Sequence, residues 1–279
     1  MPTATITGVS GFIGRNLCQR FVDLGWHVIG TTTHPSKQFL NGVDLIEWRL
    51  SDPVPAQLMS ADAIVHLACA CVTDPPGRGT DREAKSVDVQ GTERLHSAWR
   101  DACDVAPFIL VSSMSSSSKA ANQYGRIKHF TEAALSLPGD FILRPGIVTG
   151  DGDRGLYNLL RRAMAISPVF PVVKTPSWLY LTDIERLMTT IVGIAERRIP
   201  AHPQAVRLNI CTSGPMTFQN ICEAICTLNG MRKPIFVNMP AFVLPFIDAL
   251  SFASEHAFFL RERLYGLLPP NDAGVSDVG

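Results

Sequence analysis

The 279-residue chain has no excess charge of either sign, because 25 lysines and arginines balance 25 aspartates and glutamates. With no net field, nothing draws it toward nucleic acid or an anionic membrane surface, and an anionic ligand has to be held by local groups. A C-x-x-C pair is also missing. The seven cysteines stand at 18, 69, 71, 103, 211, 222 and 226, an odd number at irregular spacing that argues against a disulfide framework or a zinc site. Cys222 and Cys226, which share a helix face, read as small buried residues, and the thiols fit a reducing cytoplasm. The seven histidines show no metal-ligand spacing, so no metal is expected, and His66, at a strand end, reads as a packed or hydrogen-bonded side chain. Long apolar runs are absent as well. The most hydrophobic late stretch, 240–259, is interrupted by Pro245 and carries Asp248, Glu255 and His256, which predicts a packed helix rather than a bilayer span. The first residues lead straight into a strand pattern without a basic n-region or an apolar h-region, which argues against a secretory signal.

What is present is room for one large α/β domain, or for a nucleotide domain with a smaller lobe added. In the first half, short apolar runs alternate with amphipathic segments, the pattern of strands joined by crossover helices in a parallel sheet. Strands are predicted over 4–7, 27–31, 44–47, 63–67, 108–112 and 141–144, and helices over about 13–24, 83–102 and 122–136. From Gly146 the rhythm loosens, with turn formers at 150–155, 167–176 and 200–203. A strand end over 180–183, a helix over 184–197, a strand over 207–211 and a helix from a Thr217 cap to Leu228 follow. The expected architecture is a Rossmann-type doubly wound parallel sheet formed by 1–145, with 178–213 returning to it. The remainder, 146–177 and 214–279, is expected to form a smaller substrate-binding lobe. The one low-complexity tract is the serine run 115–118.

The clearest motif is Thr7-Gly8-Val9-Ser10-Gly11-Phe12-Ile13-Gly14, placed after a β-rich run and before an amphipathic helix. That context suits a dinucleotide. Gly8 allows the tight turn, Gly11 lets backbone N–H groups approach a pyrophosphate, and Gly14 lets helix and strand pack closely, with the anion on the positive end of the helix dipole. An acid at the end of the second strand would bind the adenine ribose and repel a 2′-phosphate. Here that strand ends Gly30-Thr31-Thr32-Thr33-His34 with no acid. Thr31, Thr33, His34, Lys37 and Arg15 can face a phosphate, so the reading favours NADP, with NAD as the alternative if these are ordinary turn formers.

Tyr124 and Lys128 lie four apart on a predicted helix and share one face. An ammonium beside a phenol favours the phenolate, which lets Tyr124 exchange a proton with a carbonyl or alcohol oxygen, and the same lysine can bind the nicotinamide ribose. Tyr-x-x-x-Lys is common by chance. Its position after the fifth strand and Val111-Ser112-Ser113, at the sheet edge where a cofactor must lie, gives it weight. Ser113 is the candidate for steadying charge on the substrate oxygen, with Ser112 and Ser115 as register alternatives.

On these residues the chain resembles the extended short-chain dehydrogenase/reductases, the group of NAD(P)-dependent nucleotide-sugar epimerases, dehydratases and 4-keto reductases. The resemblance also covers His66-Leu67-Ala68, Val87-Asp88-Val89-x-Gly91-Thr92, Tyr124-Gly125-Arg126-Ile127-Lys128, Leu143-Arg144-Pro145-Gly146 and Tyr180-Leu181-Thr182-Asp183-Ile184. It implies that Gly8, Gly11, Phe12 and Ile13, with Ser10 and Gly14 in the same loop, line the pyrophosphate, and that Leu67 and Ala68 flank the cofactor. Tyr124 is implied as acid/base with Lys128 as its partner. Pro145, Gly146, Ile147 and Val148 are implied to pass the nicotinamide carboxamide, and the helices at about 83–102 and 122–136 to form a homodimer. Three departures stand out. Arg49-Leu50 replaces an Asp-Leu pair that touches adenine, leaving Leu50 to pack there. Asp88 replaces an asparagine, turning a donor into an acceptor. The third is the segment from Ser113 to Tyr124, which is much shorter than in the sugar-nucleotide enzymes.

The resulting expectation is an enzyme that transfers a hydride at a ring carbon of a nucleotide-activated sugar, by epimerisation or by keto-sugar reduction. Arg154, Arg161, Arg162 and Arg207 are candidates for gripping a substrate diphosphate or, equally, a solvated helix face. Two alternatives are an NADPH-dependent carbonyl reductase of a non-sugar metabolite, which the short segment suits, and a catalytically silent cofactor-binding regulatory or assembly protein. An intact Ser113, Tyr124 and Lys128 argue against the last.

Overall fold

Runs of four to six residues rich in β-branched and apolar side chains, too short for helices, form the strands of one sheet: β1 (Thr3–Thr7), β2 (His27–Thr32), β3 (Val43–Glu47), β4 (Ala63–His66), β5 (Phe108–Val111) and β6 (Asp140–Pro145). In the computed structural model the described residues are 1–35, 41–70, 86–103, 106–152, 155–174, 176, 178–239 and 265–268. Expectations for Lys37, Cys71, Arg154, residues 83–85 and the 240–259 helix lie outside them. Every residue of β4 and β5 is buried, as strands covered on both faces require.

The strand order is β10-β6-β5-β4-β1-β2-β3, with β10 (Val206–Ile210) at one edge, and the pairings from β3 through β6 are parallel. This is the doubly wound Rossmann-type arrangement expected. The order reverses between β1 and β4, which lie side by side with Thr7 opposite His66. In such sheets ligands bind outside the carboxyl ends of the strands at that reversal.

The chain divides into two compact units. The first holds the seven-stranded sheet and comprises Met1–Ser113, Ile127–Arg144 and Ile184–Ile210. Its helices include α1 (Phe12–Asp23), α2 (Val87–Ala102), most of α3 (Gln123–Ala133) and the helix Ile184–Ala195. One face of the sheet packs Trp48, Leu58, Leu95, Trp99, Phe108 and Leu110 into a single cluster. Near the amino-terminal edge, Asp140 is fully buried and accepts hydrogen bonds from His96 Nε2 (2.9 Å), Arg100 Nη2 (2.5 Å) and the Leu137 N–H (2.8 Å). Burial by itself would raise the Asp140 pKa, but the bonds from His96 and Arg100 outweigh it and lower the pKa overall. This hub ties α2 to β6.

The second unit comprises Met114–Arg126, Pro145–Asp183 and Cys211–Gly279. A three-stranded sheet runs β11 (Ser213–Met216), β9 (Leu179–Asp183), β7 (Ile147–Thr149), and a two-stranded parallel sheet pairs β12 (Ile235–Met239) with β8 (Val169–Val173). Two helices, α4 (Leu156–Ile166) and, after the helix Ile184–Ala195 (α5), α6 (Phe218–Leu228), pack Tyr157, Leu160, Met164, Phe218 and Ile225 into a second core. Thr217 caps α6, its side chain accepting from the Asn220 N–H at 3.1 Å. Cys222 and Cys226 are fully buried on this helix, and burial pushes the Cys222 thiol up to about 12.

The sequence reading missed α4, β7, β8, β11 and β12. The stretch taken for turn formers, 167–176, contains β8 with Pro171 inside it. A two-stranded sheet leaves each strand an open edge, where a residue without an N–H is tolerated.

Candidate functional site

The site begins where β1 stops. Gly8 follows Thr7 with φ at +72°, and a Cβ there would lie 2.9 Å from the Ala68 nitrogen. Its N–H and that of Val9 both donate to the Thr31 carbonyl, at 3.0 and 3.1 Å, so the loop is seated across the ends of β2, β1 and β4. At the other end of the loop a Gly14 Cβ would lie 2.4 Å from the Gly8 oxygen and 2.8 Å from Val9 Cα. Only glycine permits this approach of α1 to the loop. Gly11 is the N-cap of α1, and no side chain caps the helix. The first turn holds no acid, and its N–H groups present the positive end of the helix. Ser10, Gly11, Phe12 and Ile13 are half-buried, and Gly14 is buried.

A pyrophosphate needs a backbone turn it can approach closely and an uncapped helix end. Both are supplied by Gly8, Gly11 and Gly14, so these residues fit a dinucleotide. At the end of β2, Thr31 is buried, while Thr33 and His34 are exposed with Thr33 Oγ1 2.9 Å from His34 Nδ1. Arg15 is exposed on α1. An acid that the sequence reading did not weigh stands nearby: exposed Glu47 ends β3 in register with Thr32. Leu50 is buried in the cluster with Leu58, Leu95 and Trp99, so its side chain serves the core.

At the end of β4, Leu67 and Ala68 are half-buried, and both N–H groups donate to Thr7 Oγ1 at 3.1 Å. His66 is buried between two threonines, with Nδ1 2.7 Å from Thr7 Oγ1 and Nε2 2.9 Å from Thr92 Oγ1. Burial, and next the charge of Lys128, lower its pKa from 6.5 to about 3. Asp88, in the first turn of α2, is buried and accepts the Ala70 N–H at 2.7 Å, a role an acceptor-only side chain fills.

Beyond β5 one carboxylate takes one of the three candidate serines. Ser112 is buried and its hydroxyl donates to Glu132, which is itself buried and held by Arg144. That hydroxyl is committed to the core. Ser113, the next residue, is half-buried, as is Ser115. Lys128 on α3 is buried to 5 % exposure, with Nζ donating to the Val111 carbonyl at 3.0 Å. Tyr124 lies one turn earlier on the same helix and is half-buried. At the end of β6, Pro145 is buried and its carbonyl accepts the Met114 N–H at 2.9 Å, while the Gly146 N–H donates to Thr182 Oγ1 at 2.8 Å. Ile147 and Val148 lie in β7, paired with Leu181 and Thr182. Of the arginines considered for a diphosphate, Arg161 and Arg162 stand on α4, whereas Arg207 is exposed on β10. Among the described residues no group of three or more His, Cys, Asp or Glu could hold a metal ion, and no helix is long and apolar enough to cross a membrane.

Comparison with known proteins places the fold among solved structures. A curated relative, the ceramide reductase of Caulobacter vibrioides, is 29% identical over 243 residues, which cover 84% of this chain and 73% of that protein. Solved structures share the fold. MoeE5 in complex with UDP-glucose and NAD superposes with a TM-score of 0.65 at 19% identity, over 86% of this chain and 85% of its own. The Bordetella bronchiseptica enzyme WbmG in complex with NAD and UDP gives 0.65 at 18%, over 85% and 82%. Residues 4–138 match the model of the NAD dependent epimerase/dehydratase family, and over that part the chain is similar to its members.

Proposed function

We propose that the protein interconverts a secondary alcohol and a ketone on its substrate, with Tyr124 exchanging the proton of the reacting oxygen. The carrying observation is Lys128: a buried ammonium, anchored on the Val111 carbonyl, one helical turn from Tyr124. A fixed cation there stabilises the phenolate as it forms. Ser113, next to the committed Ser112, is the hydroxyl assigned to the substrate oxygen.

Gly8, Ser10, Gly11, Phe12, Ile13 and Gly14 would hold the pyrophosphate of NAD(P), with Leu67, Ala68 and 145–148 along its length and Thr31, Thr33 and His34 toward the adenosine. Bound there, the cofactor would supply the hydride donor or acceptor. Exposed Arg15 and His34, with no acid at the end of β2, support NADP; Glu47 in register with Thr32 supports NAD. The second unit is the one assigned to selecting the substrate, and a homodimer through α2 and α3 follows the family resemblance.

For the substrate, a ring carbon of a nucleotide-activated sugar is the first reading, supported by the family match over residues 4–138 and by fold relatives carrying UDP-glucose or UDP. A second reading is NADPH-dependent reduction of a non-sugar ketone, such as one on a lipid chain. It is favoured by the relative named ceramide reductase and by the short segment between Ser113 and Tyr124.

Purified protein assayed with NADH and NADPH against nucleotide-linked keto sugars, simple ketones and long-chain ketones tests both readings. Turnover is expected in one class, with Tyr124→Phe lowering kcat by about 10²–10⁴-fold while cofactor binding stays within about twofold. Unchanged turnover by Tyr124→Phe would overturn the assignment, and tight cofactor binding with no turnover of any class would favour a regulatory protein.

A further inference from the structure

His66 is buried at the carboxyl end of β4 and takes no part in the proposed chemistry, yet its hydrogen bonds assign its protons. Thr92 Oγ1 lies 2.7 Å from the Asp88 carbonyl, which can only accept. The single hydroxyl proton of Thr92 is therefore directed there, and toward His66 Nε2, 2.9 Å away, Thr92 must accept. Nε2 carries the proton. In the neutral ring Nδ1 is then the acceptor, and Thr7 Oγ1 donates to it across 2.7 Å. With its proton so directed, Thr7 keeps its lone pairs for the N–H groups of Leu67 and Ala68, both 3.1 Å away. The bonds run in one direction, from the Leu67 and Ala68 amides through Thr7, His66 and Thr92 to Asp88. A second proton on the ring would oppose this order, adding a charge that burial and Lys128 both disfavour.

The segment secured this way is the one against which Gly8 turns, since a Gly8 Cβ would meet Ala68 N at 2.9 Å and Leu67 C at 3.1 Å. We propose that His66 is a positioning residue for cofactor binding: as the neutral Nε2–H tautomer it keeps the Thr7 hydroxyl a donor, and Thr7 in turn fixes Leu67 and Ala68 beneath the Gly8 turn. This rests on the reading of Gly8 to Gly14 as the cofactor loop. Position 66 asks for a side chain that donates on one side and accepts on the other. Glutamine can serve one threonine but not both opposed ones.

The test is fluorescence titration of NADH and NADPH into the wild type, His66→Gln, Thr92→Val, Thr7→Val and Thr7→Ser, with thermal melts in parallel. His66→Gln and Thr92→Val are expected to raise the cofactor Kd about tenfold, the scale of one hydrogen bond. Thr7→Ser, which keeps the hydroxyl, returns it to within about twofold of the wild type. Thr92→Val combined with Thr7→Val is expected to do no more than Thr7→Val alone, because both break one chain. If His66→Gln does not fold, the two valine variants, which exchange a hydroxyl for a methyl, decide the matter. Lowered melting with unchanged Kd would overturn the proposal and leave His66 a core residue. A wild type that binds neither cofactor would instead overturn the reading of the loop, and the two failures are told apart by the wild-type titration alone.

Discussion

The depressed pKa of His66 makes folding stability depend on pH in a window where few other groups act. Its value falls from 6.5 to about 3 in the folded protein. Below pH 6.5 the unfolded chain takes up a proton that the folded chain refuses, so stability is complete above 6.5 and declines as pH falls toward 3. Each pH unit in that window costs about 1.4 kcal/mol, which gives a loss of about 2 kcal/mol between pH 7.5 and pH 5. Asp140 acts lower: its pKa is depressed below 3.8, so its contribution is present above that value and is lost only at more acid pH. Urea unfolding of the wild type and of His66→Gln, each at pH 7.5 and pH 5, isolates the histidine, since glutamine does not titrate. The wild type is expected to lose about 2 kcal/mol more than the variant over this interval. Equal losses in the two proteins would refute the reasoning, and with it the picture of a neutral ring locked between Thr7 and Thr92.

Three further outcomes are expected. Gly14→Ala places a Cβ 2.4 Å from the Gly8 oxygen, backbone against backbone. The loop must move, and cofactor Kd should rise by at least about tenfold, the equivalent of 1–3 kcal/mol of overpacking; titration giving wild-type affinity would contradict this. Asp140→Asn strips the charge from a fully buried carboxylate that pairs with Arg100 and His96. It is expected to cost about 3–5 kcal/mol in urea unfolding, and a loss under about 1 kcal/mol would show that the hub is not strongly coupled. Cys18 and Cys222, their thiols pushed up to about 12 by burial, should resist iodoacetamide at neutral pH in the folded protein and react only after unfolding. Peptide mapping that finds either labelled as fast as half-buried Cys69 or Cys211 would contradict the burial.

Local chemistry made the sheet of the first unit legible. Buried parallel strands are short, rich in β-branched and apolar residues and bounded by turns, and the runs at β1, β2, β4, β5 and β6 meet that description, so their predicted limits fall within a residue or two of those observed. The helices α1 and α3 and the Thr217 cap were legible for a related reason, because period and capping are properties of neighbouring residues. α4 was not, since it lies between two stretches of turn formers, 150–155 and 167–176, that mask its amphipathic run. The strands β7, β8, β11 and β12 are three to five residues long, and β8 contains Pro171. Pairing with a strand distant in sequence, not propensity, makes them strands.

The glycine spacing, the absence of an acid at the end of β2, and the placing of Tyr124 and Lys128 on one helix face were determined by the sequence alone, because each is a matter of residue type at fixed separation. Tertiary structure decided the rest. That Ser112 is taken by Glu132, leaving Ser113 and Ser115 as the candidates, depends on a carboxylate twenty residues away. That Leu50 belongs to the core depends on Leu58, Leu95 and Trp99 packing in one cluster with it, and that Glu47 stands opposite Thr32 depends on sheet register. The tautomer of His66 depends on a carbonyl in α2 reached through Thr92. Which group donates and which accepts is settled by partners brought together only when β1, β4 and α2 pack, and separation along the chain carries no trace of it.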